Sequence, residues 1–318
     1  MSESTFRTAQ SDFSPLRLVL LRNPREAFGQ AGRVGSGWSE LGWLAPPDPG
    51  RAAAEHDRLR AILEESGARV ADLAGEPELG LDSLYPRDAA LVCRDGAILC
   101  RMGKPAREEE PAALGRALGG LGVPVLGAIA APGRLEGGDV AWADERTLAV
   151  GRGYRTNDEG IRQLRVLLGE RVDELLIVPL PHWRGSGDVF HLMSMYSPLA
   201  TDLALVYSPL LPVPFREALL ERGTRLVEVP EGEFEGMGCN ALALAPGRCV
   251  LLEGNPVTRG RLEAAGVEVI EIEGAEICRK GSGGPTCLTR PLVRDRILPG
   301  NLFPRAGAAG LEQEREAP

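Results

Sequence analysis

The stretch Arg222-Gly223-Thr224-Arg225-Leu226-Val227 closes an amphipathic pattern, turns on a glycine and opens an apolar strand. The pattern before it, residues 214–222, has helical spacing. A glycine just past a helix end takes a left-handed conformation that other residues resist. The same order recurs four more times. It stands at Glu65-Ser66-Gly67-Ala68-Arg69-Val70, Leu118-Gly119-Gly120-Leu121-Gly122-Val123, Leu168-Gly169-Glu170-Arg171-Val172 and Ala265-Gly266-Val267-Glu268-Val269-Ile270. The helical patterns before these turns cover 52–65, 108–118, 159–168 and 257–265. Helix starts therefore recur about every 40 to 55 residues, a period that signals repeated units.

Strand patterns fill the spaces between. Runs at 89–93 and 97–101, and at 241–245 and 249–252, read as hairpins, which a purely parallel sheet lacks. Further strands are predicted at 16–21, 69–73, 123–126, 140–143, 148–151 and 174–178, then at 189–193, 203–207, 225–229, 268–272 and 286–289. A strand–strand–helix–strand unit repeated five times describes one α/β domain over 16–303, flanked by flexible tails at 1–15 and 304–318. A doubly wound sheet is the ordinary alternative.

Composition narrows the function. The 318 residues carry 36 Lys+Arg against 45 Asp+Glu, a net charge of −9. That balance argues against a nucleic-acid surface. No apolar run reaches the roughly 20 residues of a membrane helix, and the polar N-terminus has no signal pattern, so the chain reads as cytoplasmic. Six cysteines include no C-x-x-C pair, and there are only three histidines. Neither a zinc ribbon nor a histidine-rich metal site is expected.

Four segments do not read as ordinary packing: Leu84-Tyr85-Pro86-Arg87-Asp88, Leu135-Glu136-Gly137-Gly138-Asp139, Phe190-His191-Leu192-Met193 and Gly281-Ser282-Gly283-Gly284-Pro285-Thr286-Cys287. Singly, each has a bland reading as a surface pair, a turn, a core histidine or an inert thiol. Together they supply a nucleophile, a base and carboxylates at strand ends, where catalytic groups collect. A thiolate can attack a carbon and an imidazole can carry the proton.

In this order the four motifs resemble the guanidino-group-modifying superfamily of dimethylarginine dimethylaminohydrolases, arginine deiminases and amidinotransferases. The resemblance spans most of the chain. It implies a five-bladed α/β propeller of ββαβ units (the pentein fold), no cofactor and no metal. It also implies a small cationic guanidino substrate, with a homodimer left open. By the same resemblance Cys287 is the nucleophile of a covalent thiouronium intermediate and His191 handles protons. Glu136 positions the guanidinium and His191, and Asp88 binds guanidinium N–H groups. Arg107 and Arg155 match residues that hold the substrate's α-carboxylate, Asp82 matches one that reads the amino-acid end, and Asp139 orients the glycine turn or touches substrate.

The branch is read from departures. Deiminases carry Asp two residues after the histidine, where this chain has Met193, and that favours a dimethylarginine substrate hydrolysed to citrulline and an amine. Tyr85-Pro86-Arg87-Asp88 instead resembles deiminases and amidinotransferases, which keeps arginine and an amine acceptor as the alternative. Cys239 and Asn240 read as structural or as pocket lining, and His56 and His182 carry no motif. Trp38, Trp43 and the glycine-rich residues 29–42 suggest a lid.

Overall fold

A computed structural model of the chain describes residues 8–29, 38–188 and 190–296. Its strands are β1 (Leu16–Leu21), β2 (Arg69–Asp72), β3 (Ala90–Cys93), β4 (Gly96–Leu99), β5 (Val125–Ala128), β6 (Val140–Trp142), β7 (Thr147–Arg152) and β8 (Glu174–Pro179). They continue with β9 (Tyr196–Ala200), β10 (Leu203–Val206), β11 (Arg225–Glu228), β12 (Leu242–Ala245), β13 (Arg248–Leu252), β14 (Glu268–Ile272) and β15 (Arg290–Arg294). The longer helices are α1 (Pro49–Glu65), α2 (Glu110–Gly120), α3 (Asp158–Leu168), α4 (Val213–Glu221) and α5 (Pro256–Ala264).

Among the described residues the strands form five three-stranded sheets of one design. In β3–β4–β5 the first strand pairs antiparallel with the central one, and the third, reached through α2, pairs parallel with it. The sheets β6–β7–β8, β9–β10–β11 and β12–β13–β14 repeat that pattern. The fifth joins the two ends of the described chain, with β15 antiparallel and β2 parallel to β1. Each parallel step needs a crossover, and a helix supplies it. The glycines that end the five helical patterns, Gly67, Gly122, Gly169, Gly223 and Gly266, all have positive φ, between 53° and 91°. The sequence-level reading of these turns rests on that property.

Hydrophobic clusters pack the sheets on one another. Leu199 of β9 and Leu205 of β10 share a core with Ala243 of β12 and Cys249 of β13. Outer strands such as β2 and β5 are only half-buried, as the edges of such sheets should be. No helix among the described residues is long and apolar enough to cross a membrane.

Three expectations are corrected. Residues 191–193 form no strand: His191 precedes the 3-10 turn Leu192–Ser194, and the strand starts at Tyr196. The Leu192 N–H donates to Asp139 Oδ1 rather than to a neighbouring strand. Residues 286–289 are a turn, with the N–H groups of Cys287 and Leu288 donating to the Gly284 carbonyl, so the last strand begins at Arg290. Residues 8–14, assigned to the N-terminal tail, are buried. Gln10 Nε2 donates to the Glu145 and Arg171 carbonyls, and Asp12 Oδ2 accepts the Trp142 N–H at 2.7 Å. Polar side chains there satisfy backbone groups of the strand Val140–Trp142 and of the connections around it. The tail residues 1–7 and 304–318 lie outside the described residues, as does Val189.

His56 on α1 is 1% exposed, and neither ring nitrogen has a hydrogen-bond partner among the described residues. Burial, aided by Arg60, pulls its pKa down to about 4. The unfolded chain takes up this proton near the ordinary value of about 6.5, so between those two pH values protons favour unfolding. Urea melts should show wild type losing up to about 1.4 kcal/mol per pH unit more than His56→Leu as pH falls through that window. Parallel pH profiles for the two proteins would contradict this.

Candidate active site

The first strand of every sheet is entered from a motif. Asp88 lies in the 3-10 turn Pro86–Ala89 before β3, and Glu136 opens the turn Gly137–Asp139 before β6. His191 stands before β9, Asn240 before β12, and Cys287 before β15. Asp88, His191, Asn240 and Cys287 line one cavity of about 350 Å³.

Close backbone approach brings the turns together. A Cβ on Gly137 would meet the Arg87 carbonyl oxygen at 2.1 Å. One on Gly138 would meet His191 Nδ1 at 2.5 Å and Asp88 Oδ1 at 2.7 Å. Neither position has room for a side chain. Asp139 ties the second turn to the third, accepting the Thr156 hydroxyl at 2.7 Å and the Leu192 N–H at 3.1 Å. It does not line the cavity, and burial pushes its carboxyl up to about 6.

Glu136 is fully buried behind His191. Its Oε2 lies 2.7 Å from His191 Nε2, and its Oε1 accepts the Gly103 N–H at 2.7 Å. Arg155 Nη1 is 3.6 Å away. Burial alone would raise this carboxyl, but the hydrogen bond and charge of His191, with Arg155 and Arg107, hold it well below the usual range. Burial pulls the imidazole down, and the carboxylates of Asp88, Asp139 and Glu136 outweigh it and push His191 up to about 9. His191 Nδ1 is 3.9 Å from Asp88 Oδ1.

Asp88 Oδ2 accepts from Arg107 Nη1 at 2.7 Å, whereas Asp88 Oδ1 is buried with no hydrogen bond among the described residues. A buried acceptor left open is costly, and it marks where a ligand donor fits. Asp88, Glu136 and His191 offer donor atoms within 4.8 Å of one another, a spacing that could hold a metal ion. Three of the four carboxylate oxygens already accept hydrogen bonds, which leaves Asp88 Oδ1 as the open one.

Of the six cysteines Cys287 is the one that is not fully buried. Burial, then the charge of Asp88, pushes its thiol up, while a hydrogen bond from Asn240 pulls it down. Asn240 Nδ2 is 3.4 Å from Cys287 Sγ. Its Oδ1 accepts the Thr286 N–H at 3.0 Å, which fixes the amide so that its NH2 faces sulfur.

The remaining expected residues divide. Asp82 lines the cavity and accepts from Trp43 Nε1 at 2.8 Å and Lys104 Nζ at 3.2 Å. Arg107 also lines it, but its N–H groups go to Glu110, Asp88 and the Asp82 and Tyr85 carbonyls. Arg155 sits behind the cavity wall against Glu136. Trp43 packs in the core with Phe28 and Tyr85 rather than over the mouth, and residues 30–37 of the expected lid lie outside the described residues. Met237 and Ser282, the two non-glycine residues with positive φ among those described, both line the cavity. Such backbone costs on the order of 1–3 kcal/mol and gathers at functional sites. Lys104 and the sulfur contact of Asn240 went unread in the sequence. Asn240 had a signal in its place before the first strand of a repeat, like the other motifs.

The arginine deiminase family model matches residues 82–212 and 207–294. The arginine deiminase of Listeria welshimeri is 29% identical over 261 residues, covering 68% of this chain. The chain spans 63% of that relative's length. A DDAH from Pseudomonas aeruginosa, solved with citrulline, superposes with a TM-score of 0.71 at 22% identity, over 88% of this chain and 100% of that one. SxtG, an amidinotransferase from Microseira wollei, gives 0.73 at 17% identity, over 92% and 98%. The five sheets thus carry the α/β fold of those proteins.

Removing the Asn240 N–H should be felt at sulfur. Asn240→Ala is expected to move the midpoint of Cys287 alkylation by iodoacetamide upward by roughly one pH unit. Peptide mass spectrometry across a pH series reads it, and an unmoved midpoint would show that Asn240 only packs.

Proposed function

This chain belongs to the arginine deiminase family, and on that footing we propose that it is a cysteine-dependent hydrolase of the guanidinium group of an arginine-like substrate. One observation carries the reading: a buried Asp88 Oδ1, without a hydrogen bond among the described residues, in a cavity that also presents His191 and Cys287. The orphaned oxygen suits a guanidinium N–H, and a planar cation seated there lies beside the sulfur. The five sheets are read as the blades of one propeller domain, with the site where their first strands begin.

The steps follow from the surroundings of each group. The free thiol is held neutral by burial and by Asp88. A bound cation offsets the Asp88 charge and favours thiolate, the thiol proton passing to solvent. The thiolate attacks the guanidinium carbon, forming a C–S bond. His191, kept protonated by its carboxylate neighbours, gives its proton to the departing nitrogen as the C–N bond breaks. A water then adds to the thiouronium carbon, His191 takes the water's proton, and C–S cleavage returns the thiolate and releases citrulline. Glu136 holds the imidazole through Nε2. Arg155 acts through Glu136 and Arg107 through Asp88, and Asp82 at the wall receives the amino-acid end.

Met193 favours an alkylated substrate. It is buried in the cavity wall and places a thioether where a carboxylate would prefer a bare amine. The family match favours the second reading, free arginine. Citrulline release from dimethylarginine and from arginine, with Cys287→Ser as the inactive control, separates the two. Turnover of neither would overturn the proposal. Added glycine that diverts the product away from citrulline would mark an amidinotransferase.

Two further outcomes are expected. A Cβ at position 138 displaces His191 and Asp88 together, so Gly138→Ala should lose roughly 100-fold or more in kcat/KM while keeping its fold by circular dichroism. Because turnover of the bound substrate needs His191 protonated and its pKa is raised to about 9, kcat should stay high past neutrality and fall as pH rises through that value. A fall centred near the ordinary histidine value of about 6.5 would contradict it.

A further inference from the structure

Behind the active-site turns lies a second, smaller cavity of about 10 Å³. That is the scale on which one water-sized occupant fits. Asp12, Arg87, Met193, Thr286 and Arg294 are in its wall, and all are buried.

The charge around it does not balance. Asp12 feels Arg87, Arg290 and Arg294 together. Its Oδ1 accepts from Arg87 Nη2 at 2.8 Å, and its Oδ2 is taken by the Trp142 N–H. Arg290 Nη1 donates to the Ala90 carbonyl at 2.9 Å, and Arg294 Nη2 to the Ala243 carbonyl at 2.8 Å. Three guanidinium groups thus share one carboxylate. Burial pulls Arg294 down to about 10, with Arg87 adding to the effect and Asp12 opposing it, as expected where positive charge lacks an answer.

The donors do not balance either. Arg87 Nε, Arg87 Nη1 and Arg294 Nε are buried with no acceptor among the described residues. Both side chains border the cavity. Buried N–H groups are nearly always paired, and an uncompensated buried cation costs more than an unpaired neutral group. A water there would accept hydrogen bonds and leave the charge as it is. A small anion would answer both.

We propose that this cavity is an internal site for one small monovalent anion of the halide class, held by Arg87 Nε and Nη1 and by Arg294 Nε. A halide is slightly larger than water, and the unbranched Met193 side chain in the wall is the kind that yields to such a difference. The site gives Arg87 a task that the reaction leaves it without. Arg87 precedes Asp88, Thr286 precedes Cys287, and Met193 lines both cavities. The anion therefore buttresses three of the turns that hold the reacting groups.

Crystals of the full chain soaked in sodium bromide, with diffraction recorded at the bromine absorption edge, test the assignment directly. The expected result is an anomalous peak in this cavity, at hydrogen-bond distance from Arg87 and Arg294. In solution, exchanging sodium gluconate for sodium bromide at fixed ionic strength should raise Tm saturably by about 2–4 °C, as a ligand that binds only the folded state does. A cavity with no anomalous signal at saturating bromide, or a Tm equal in the two salts, overturns the proposal.

Discussion

A carboxylate removed from water must be answered by positive charge and N–H donors, and Glu136 imposes that demand at the centre of the molecule. Its two oxygens are answered by His191 Nε2 and the Gly103 N–H, with Arg155 close by. Those partners come from three places: the segment after β4, the loop after β7 and the turn before β9. Satisfying one buried charge therefore sets the relative positions of three sheets. Removing one partner of such a buried pair costs about 3–5 kcal/mol. The same contact fixes the imidazole and helps raise its pKa, so the group that organises the fold here also keeps His191 protonated past neutrality.

The repeat explains why the rest of the chemistry arrives at one place. Each unit begins its first strand at an equivalent position, and the turn before that strand is free to carry a functional side chain. Five units thus bring five turns to one place: Asp88, His191, Asn240 and Cys287 line the cavity, and Glu136 with Asp139 is buried behind His191. The chemistry asks each turn for something different, so the repeats diverge in sequence there while their strands and helices stay alike. Gly137 and Gly138 follow from the same crowding, since the turns approach too closely for a Cβ.

Local signals made much of this legible in the sequence. The five helices, their glycine ends and the hairpins depend on neighbouring residues, and each reads correctly to within a few positions. The first strands β9 and β15 escaped because Pro198 and Pro291 interrupt them. Both are edge strands, where a missing N–H is tolerated. Residues 8–14 read as a tail because they are polar, yet their polar atoms pair with backbone groups and with Arg87 from distant sheets. Motif order pointed to Asp88, His191 and Cys287, which the structure places around one cavity. What sequence could not give is how each arginine is partnered. Arg107 and Arg155 sit where the resemblance put them in the chain, but buried carboxylates already engage them.

The proposed reaction requires sulfur at position 287 to bond to the guanidinium carbon of the substrate. Rapid acid quench during turnover of dimethylarginine, followed by peptide mass spectrometry, tests it most directly. A transient amidino adduct is expected on the peptide that contains Cys287 and on no other cysteine. Citrulline formed at full rate with Cys287 unmodified at every time point, or an adduct on a different residue, would contradict it.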